Sequence, residues 1–595
     1  MEAADSPRRG ATTESCGPPL RLVSTFDPGL LGTLHADERM RMAGETMMTN
    51  PVKRSSPSLH LVVILVICGL SLAGYIAIIW AGRMHGYDPS KIVAARDLAL
   101  FVPIIALFFW LTRRHRYRGE MILLSTAVFL FAIGSLMQYR LFSDPEYGSR
   151  GVARTKARQV KDQAIRLRNI NTGYGDDKKQ FMFGKPDAVP TELPKQNLPV
   201  YEKSIGDILS SVNTYIPIAA LLALAAGFLL FRRDDTLLWL QRHSLLIGLA
   251  TLLPFIVAVL LFSQEGKFLG QTTPWEPVKI VFLVSFAGAL ADAYTHLRRT
   301  RWGLPPMRSL LPLAAVSAVP IVPFFALSDF GQMLVFFGVY AMLYLIAVRK
   351  PAHLLYAVIL VVALFGVFYS ASRLRSGFGI PRRVYFRFYM WRHTWDPPPP
   401  ETWWWKPDFE RYLRAKDLSI DSSNPQQLQE ANREAWSDKV LQQSEGLFGV
   451  YNGGIFGKGF GLGYPETVPI SDSDFIYAAL AEETGLLGSL AVLLAIGIFV
   501  VAGIAVSLQS VDMFSKLLAG GLSAFVGFQS IVNIGGVLRL LPMTGITLPF
   551  VSHGGWSLIT SFAMLGILMA LSHRNAIAQP KQVEEKPSWE FHPVR

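Results

Sequence analysis

Runs of about twenty apolar residues recur along this chain, and a run of that kind has few folds open to it. His60–Trp80 and Trp275–Tyr294 are two examples. About 20 apolar residues in a helix cross a bilayer. A helix is also one of the few structures that satisfies its own backbone hydrogen bonds where no water is present. Charged residues make up only 17% of the 595, against roughly 25% in soluble domains. The predicted fold class is an all-α polytopic membrane protein.

Twelve spans are predicted, near 60–80, 97–112, 121–139, 213–231, 244–263, 276–296, 308–326, 331–348, 352–370, 475–506, 514–537 and 545–572. The tenth is long enough to contain a break. Basic clusters set the orientation: Lys53 and Arg54, Arg113 to Arg118, Arg232 and Arg233, Arg298 to Arg301, Arg349 and Lys350, and Arg574. All fall on one side if the N-terminus is cytoplasmic, as the positive-inside rule requires. That orientation predicts a disordered cytoplasmic tail over 1–58, N-terminal spans over 59–142 and an extracytoplasmic loop over 143–212. A transmembrane core over 213–370 follows, then a large extracytoplasmic loop over 371–474. C-terminal spans over 475–573 and a cytoplasmic tail over 574–595 complete the plan.

The tail is polar and rich in Pro, Gly and Ser, so it lacks a core. The first apolar run starts too late and runs too long for a signal peptide. The net charge of +13 collects at span ends, so a nucleic-acid partner is not expected. Two cysteines, Cys16 and Cys68, do not make a disulfide framework.

Four constellations carry candidate chemistry. Glu276 and Lys279, in Pro274–Lys279, share a helix face at the start of a span. They read either as a structural ion pair or as a charged wall for an anionic lipid headgroup. Asp329 is a weaker feature of the same kind and caps a helix on the plainer reading. Gly453–Gly463 carries six glycines around Lys458; no strand precedes it, so it is not a nucleotide loop. It reads either as a compact turn or as backbone N–H groups around a pyrophosphate, with Lys458 as counter-charge.

Asp472 and Asp474 sit where the long loop meets a span. Asp474 is nearer the apolar edge, where desolvation favours a usable base; the plainer reading is a helix cap. Glu482 and Glu483 continue a polar stripe into the span. Leu541–Gly555 holds Pro and Gly that break a helix, either as a kink or as a cavity lining. The Pro397–Trp436 stretch, with Trp403–Trp405, reads as a stiff polyproline spacer with interfacial tryptophans. It is expected to touch a partner or the membrane surface and to carry no chemistry.

These strings resemble the SEDS family, the FtsW/RodA/SpoVE group. LLPMTGITLPFVSHGGWS resembles the family's C-terminal signature, and DSDFIYAALAEETGLLG its HTDF-type motif. Gln443-Ser444 with Gly453–Gly463, PWEPVK, SDFGQ, and Arg387 with Trp395-Asp396-Pro397 follow the same order. Together they cover roughly 270–573. His553 stands where the family usually has Tyr, Trp556 replaces a small residue, and Asp472 stands where His is common. An insert follows Trp395, and two extra N-terminal spans precede what the resemblance implies is a ten-helix core.

The resemblance implies a peptidoglycan glycosyltransferase that polymerises lipid II outside the inner (cytoplasmic) membrane of a bacterium. Asp474 maps onto the family's catalytic carboxylate. Glu276, Lys279, Arg387, Lys458, Ser552 and His553 are the expected substrate-binding residues. A divalent cation (Mg or Mn) is a further expectation, as is a class B penicillin-binding protein, a transpeptidase, as partner. Two other functions share these features: a lipid II flippase, and a scaffold that only positions the transpeptidase.

Overall fold

The computed structural model describes residues 56–85, 87–147, 205–250, 275–299, 312–313, 315–316, 330–349, 355, 382–416 and 424–584. Most of the 1–58 tail, most of the 143–212 loop and Asp329 lie outside these residues. So do most of the predicted spans 244–263, 308–326 and 352–370. Among the described residues the structure is helical, with no strand.

Among the described residues, nine helical stretches are long and apolar enough to cross a membrane. They correspond to the other nine predicted spans. The first is α1 (Pro57–Met84). The second is split into α2 (Lys91–Ala99) and α3 (Phe101–Phe109), followed by a π turn at Trp110–Arg114. The split has a local cause. Pro103 has no N–H to give the Ala99 carbonyl, and its ring crowds that carbonyl. The third is α4 (Ile122–Ser143). After α5 (Ile205–Ser210) come α6 (Val212–Phe231) and the short amphipathic α7 (Asp234–Arg242). Next are α8 (Trp275–Arg299) and α9 (Phe330–Val348).

The long loop is itself folded. It contains α10 (Arg382–Arg392), α11 (Lys406–Ala415) and α12 (Pro425–Gly453). Met390, Trp404, Trp405, Phe409, Trp436 and Val440 bury one another in a second core, separate from the main transmembrane core. The stiff-spacer reading is corrected here. Trp404 and Trp405 are interior residues, and only Trp403 of the three is exposed. Buried tryptophans need partners for their indole N–H. Trp405 donates to Asn432 Oδ1 at 2.8 Å and Trp436 to the Thr394 carbonyl at 2.9 Å. Asn432 in turn donates to the Pro398 carbonyl at 2.8 Å, which closes the proline run onto α12.

The last three helices are α13 (Ile476–Gln509), α14 (Met513–Val537) and α15 (Gly555–Glu584). The expected break in the tenth span is at Gly485, whose φ is +67°. There α13 and the glycine loop approach within backbone contact. A Cβ on Gly485 would lie 2.3 Å from Gly457 N, and one on Gly457 would lie 2.2 Å from the Glu483 carbonyl. The last span begins at Gly555 rather than near 545, because 541–554 is held in a non-helical path.

Candidate active site

The site is assembled around that non-helical path. α14 carries Gln529 and Asn533 four residues apart, on one helix face. Gln529 Nε2 donates to the Thr547 carbonyl at 2.9 Å. Asn533 Nδ2 donates to the Ile546 carbonyl at 2.6 Å and to the Asp474 carbonyl at 2.8 Å. Two backbone stretches without helical partners are thus satisfied by two amides, as buried backbone requires. Ser552 completes the frame: its Oγ accepts from Leu548 N at 2.7 Å and donates to the Ser473 carbonyl.

Asp474 therefore stands two residues before α13, beside Gly545. A Cβ on Gly545, whose φ is +73°, would come within 3.9 Å of Asp474 Oδ2. The carboxylate accepts from Gln442 Nε2 and Ser473 Oγ, each at 3.2 Å. Among the described residues no cationic side chain pairs with it. Surrounding protein pushes its pKa up to about 6, and the charge of Asp472 adds to that rise against the hydrogen bonds it accepts. A carboxylate near that value is a competent general base at neutral pH. The helix-cap reading of Asp474 finds no support: the residue preceding α13 is Phe475, and no side chain caps it.

Asp472 faces a different set. Tyr147 donates to its carboxylate, and Asp472 N donates to Tyr147 Oη at 3.1 Å. His553 N donates to the Asp472 carbonyl at 2.8 Å, and His553 Nδ1 lies 3.7 Å from Asp472 Oδ2. Burial lowers the His553 pKa, with Asp472 opposing. His553 also lines a cavity of about 130 Å³ with Arg96, Asp97, Gln138 and Thr214.

The structure brings Asp474, Ser552 and His553 together and puts the other expected residues in different settings. Lys279 is fully enclosed; its Nζ bonds Glu276 Oε1 at 2.8 Å and Gln529 Oε1 at 2.9 Å. That is the geometry of the structural ion pair, and it holds the Gln529 amide on Thr547. Arg387 is half-buried on α10, whose Tyr385, Phe386 and Tyr389 share the second core with Met543.

Lys458 is exposed on the glycine loop. Most of the loop's N–H groups, however, are already given to protein. Lys458 N and Gly459 N donate to the Glu482 and Glu483 carbonyls, both at 2.9 Å. Gly461 N and Tyr464 N donate to the carboxylates of Glu483 and Glu482 at 3.1 and 3.0 Å. The pyrophosphate-cradle reading is corrected to that of a compact turn.

Four residues that sequence reasoning did not single out matter here: Gln529, Asn533, Tyr147 and Arg140. Arg140 is fully buried in α4 and bonds Asp144, Glu466 and Glu483 at 3.2, 3.1 and 2.8 Å. Its signal was available, since an arginine inside an apolar run demands a partner. Gln529 and Asn533 were likewise legible as amides four apart in a span.

For the expected cation, no group of three or more His, Cys, Asp or Glu among the described residues is arranged to hold a metal.

The profile of the Cell cycle protein family, covering FtsW, RodA and SpoVE, matches residues 425–577. Peptidoglycan glycosyltransferase RodA of Mycobacterium tuberculosis (strain ATCC 25618 / H37Rv) is 45% identical over 129 residues, 22% of this chain and 28% of that protein. The protein of the same name from Mycobacterium leprae is 28% identical over 345 residues, 56% of this chain and 64% of that one. The chain thus spans less than two thirds of the length of the curated relatives it matches. Among solved structures, Thermus thermophilus RodA is 19% identical, covering 60% of this chain and 95% of that one, with a TM-score of 0.29. Residues 425–577, with the motifs and the broken C-terminal segment they contain, are similar to the FtsW, RodA and SpoVE proteins.

Proposed function

We propose that the chain is a peptidoglycan glycosyltransferase that polymerises lipid II into glycan strands. The observation that carries this reading is Asp474, a carboxylate that among the described residues has neutral donors only, with a pKa pushed up to about 6. In the proposed step, Asp474 takes the proton of the acceptor sugar's hydroxyl while that oxygen attacks the donor's anomeric carbon. The bond from that carbon to the pyrophosphate oxygen breaks, and the lipid pyrophosphate leaves with the electron pair. One base suffices for an inverting displacement of this kind. Lys279 acts through Gln529 on the shape of the site. Arg387 and Lys458 are the candidates for contact with the leaving group.

The proposal includes the bacterial inner membrane with both termini cytoplasmic and 143–212 and 371–474 outside. The charge asymmetry of the short loops supports it. It also includes a class B penicillin-binding protein as partner, since glycan strands need cross-linking. Shape maintenance and division are both compatible with the family. The test is polymerisation of purified lipid II by the purified protein, with and without the cognate transpeptidase. Glycan strands made by the wild type and not by Asp474→Asn are expected; lipid II returned unpolymerised in both settings would remove the enzyme reading.

A further inference from the structure

Three consecutive carbonyls run through the candidate base, those of Asp472, Ser473 and Asp474. Each accepts a hydrogen bond from a separate donor beyond its own segment. The donors are His553 N at 2.8 Å, Ser552 Oγ, and Asn533 Nδ2 at 2.8 Å. The first two belong to the broken segment; the third belongs to α14. Asn533 is the one that bridges, because the same Nδ2 also donates to the Ile546 carbonyl at 2.6 Å. Ile546 adjoins Gly545, the residue beside the Asp474 carboxylate.

The bland account of Asn533 is a polar residue that a membrane helix has managed to satisfy. Its partners argue otherwise. An amide nitrogen carries two donors, so it can hold two carbonyls at once. Both carbonyls fix which way the amide must face, since an oxygen cannot face an oxygen there. That orientation leaves Asn533 Oδ1 buried with no hydrogen bond among the described residues. Asn533 itself is buried in α14. A side chain serving only its own helix has no reason to leave its acceptor unpaired. The arrangement satisfies the loops at the helix residue's expense.

We infer that Asn533 is a positioning residue for Asp474, and that with Ser552 it locks the backbone at the base to the broken segment at Ile546. The inference rests on the proposed reading of Asp474 as the base. Its consequence is geometric. A catalytic group displaced by about 1 Å loses on the order of 10²-fold in rate. Removing one bridging amide frees both sides of the site at once.

The test uses the full chain reconstituted in bilayer discs, with lipid II as substrate. Wild type, Asn533→Ala, Asn533→Asp, Ser552→Ala and Asp474→Asn are compared for kcat, KM and pH profile. Hydrogen exchange over 470–477 reads the lock directly, without catalysis. Asn533→Ala is expected to lower kcat roughly 10- to 100-fold with KM little changed. Exchange over 470–477 should rise while that in α12 and α15 stays as in the wild type. The acid limb should move below the wild-type position, because a loosened backbone lets water reach the carboxyl. The groups that face this carboxyl or its neighbour, namely Asp472, Gln442, Ser473, Tyr147 and His553, are untouched in that variant.

Asn533→Asp keeps the shape and loses the donors, so it should behave like Asn533→Ala. Ser552→Ala should give a smaller change of the same kind. Unchanged exchange with unchanged kcat in Asn533→Ala overturns the inference. So does failure of all three variants to insert, which makes the contact a requirement of the fold. If instead Asp474→Asn polymerises normally, the base reading falls, and the exchange data still decide whether Asn533 locks this segment.

Discussion

Two acidic sites in this chain, the buried carboxylates around Arg140 and the carboxylate of Asp474, are treated in opposite ways. Around Arg140, the carboxylates of Asp144, Glu466 and Glu483 share one guanidinium, and Glu483 also accepts Gly461 N at 3.1 Å. Asp474, eight residues before Glu482, has among the described residues only the neutral donors Gln442 and Ser473, each at 3.2 Å. A carboxylate bound to a guanidinium is held in its place. One with weak neutral donors keeps an appetite for a proton. The first arrangement ties α4, the Pro465–Thr467 turn and α13 into a single node; the second leaves a base available. Charge count alone does not separate them, since the node has more acidic groups than the site.

The sharpest way to break this contrast is to neutralise each cluster in turn. Asp474→Asn preserves size and is expected to reduce lipid II polymerisation by roughly 10²–10⁴, the usual worth of a general base. Its thermal unfolding in detergent should be no lower than that of the wild type, because no ion pair is lost. A variant that keeps near-normal synthesis would refute the base assignment and return weight to a flippase or a scaffold.

Arg140→Leu should do the reverse. It strips the shared guanidinium from three buried carboxylates, and breaking a buried pair costs about 3–5 kcal/mol. The expected result is a large fall in the unfolding temperature and in the amount of protein inserted, read by fluorescence-detected size exclusion. Whatever enzyme survives should retain much of its activity per folded molecule. A stable Arg140→Leu protein with no activity would place Arg140 in the chemistry instead.

Both clusters were unevenly legible in the sequence. Spans announce themselves by length and apolarity, so the nine described ones fall where expected, and Gly485 breaks the tenth as its length suggested. Asp474 was readable because its position at a loop–span junction is local. Partners were not. Glu483 gives no hint that Arg140, 343 residues away, will be its mate. Trp404 and Trp405 look like interfacial anchors until α12 is seen to cover them, because polarity patterns cannot tell a lipid boundary from a small aromatic core. The glycine loop failed for a third reason. Glycines permit both a phosphate cradle and a close backbone crossing, and only the third dimension shows that most of its N–H groups are already in use.

That aromatic core offers a milder test. Trp405→Phe keeps a ring against Trp436, whose centroid lies 5.2 Å away, but it strands Asn432 Oδ1. Leaving a buried acceptor unpaired costs about 1–3 kcal/mol. The loss should appear as faster hydrogen exchange in α11 and the start of α12, with little change in α13 to α15. Polymerisation should fall only slightly, since this core reaches the broken segment through Met543. A collapse of activity in a folded Trp405→Phe protein would make the insert part of the active site.

The smallest expected effect concerns Asp472, which belongs to neither cluster. Asp472 contributes its charge to the rise that takes Asp474 to about 6. A base must be ionised to act, so polymerisation should decline as pH falls through that value. Asp472→Asn removes a neighbouring negative charge, which favours the ionised form of Asp474 and lowers its pKa. The acid limb should therefore move to lower pH, and the plateau should be nearly unchanged. Desolvation is the larger cause of the rise, so the limb should stay above the ordinary carboxylate range. Asn still offers Tyr147 an acceptor, and His553 N still has the main-chain carbonyl at residue 472, so the frame around the site survives. The pH profiles of the two proteins decide it. A limb that moves upward, or a plateau that drops as far as in Asp474→Asn, would mean that Asp472 shares the proton and that the two carboxylates act as one unit.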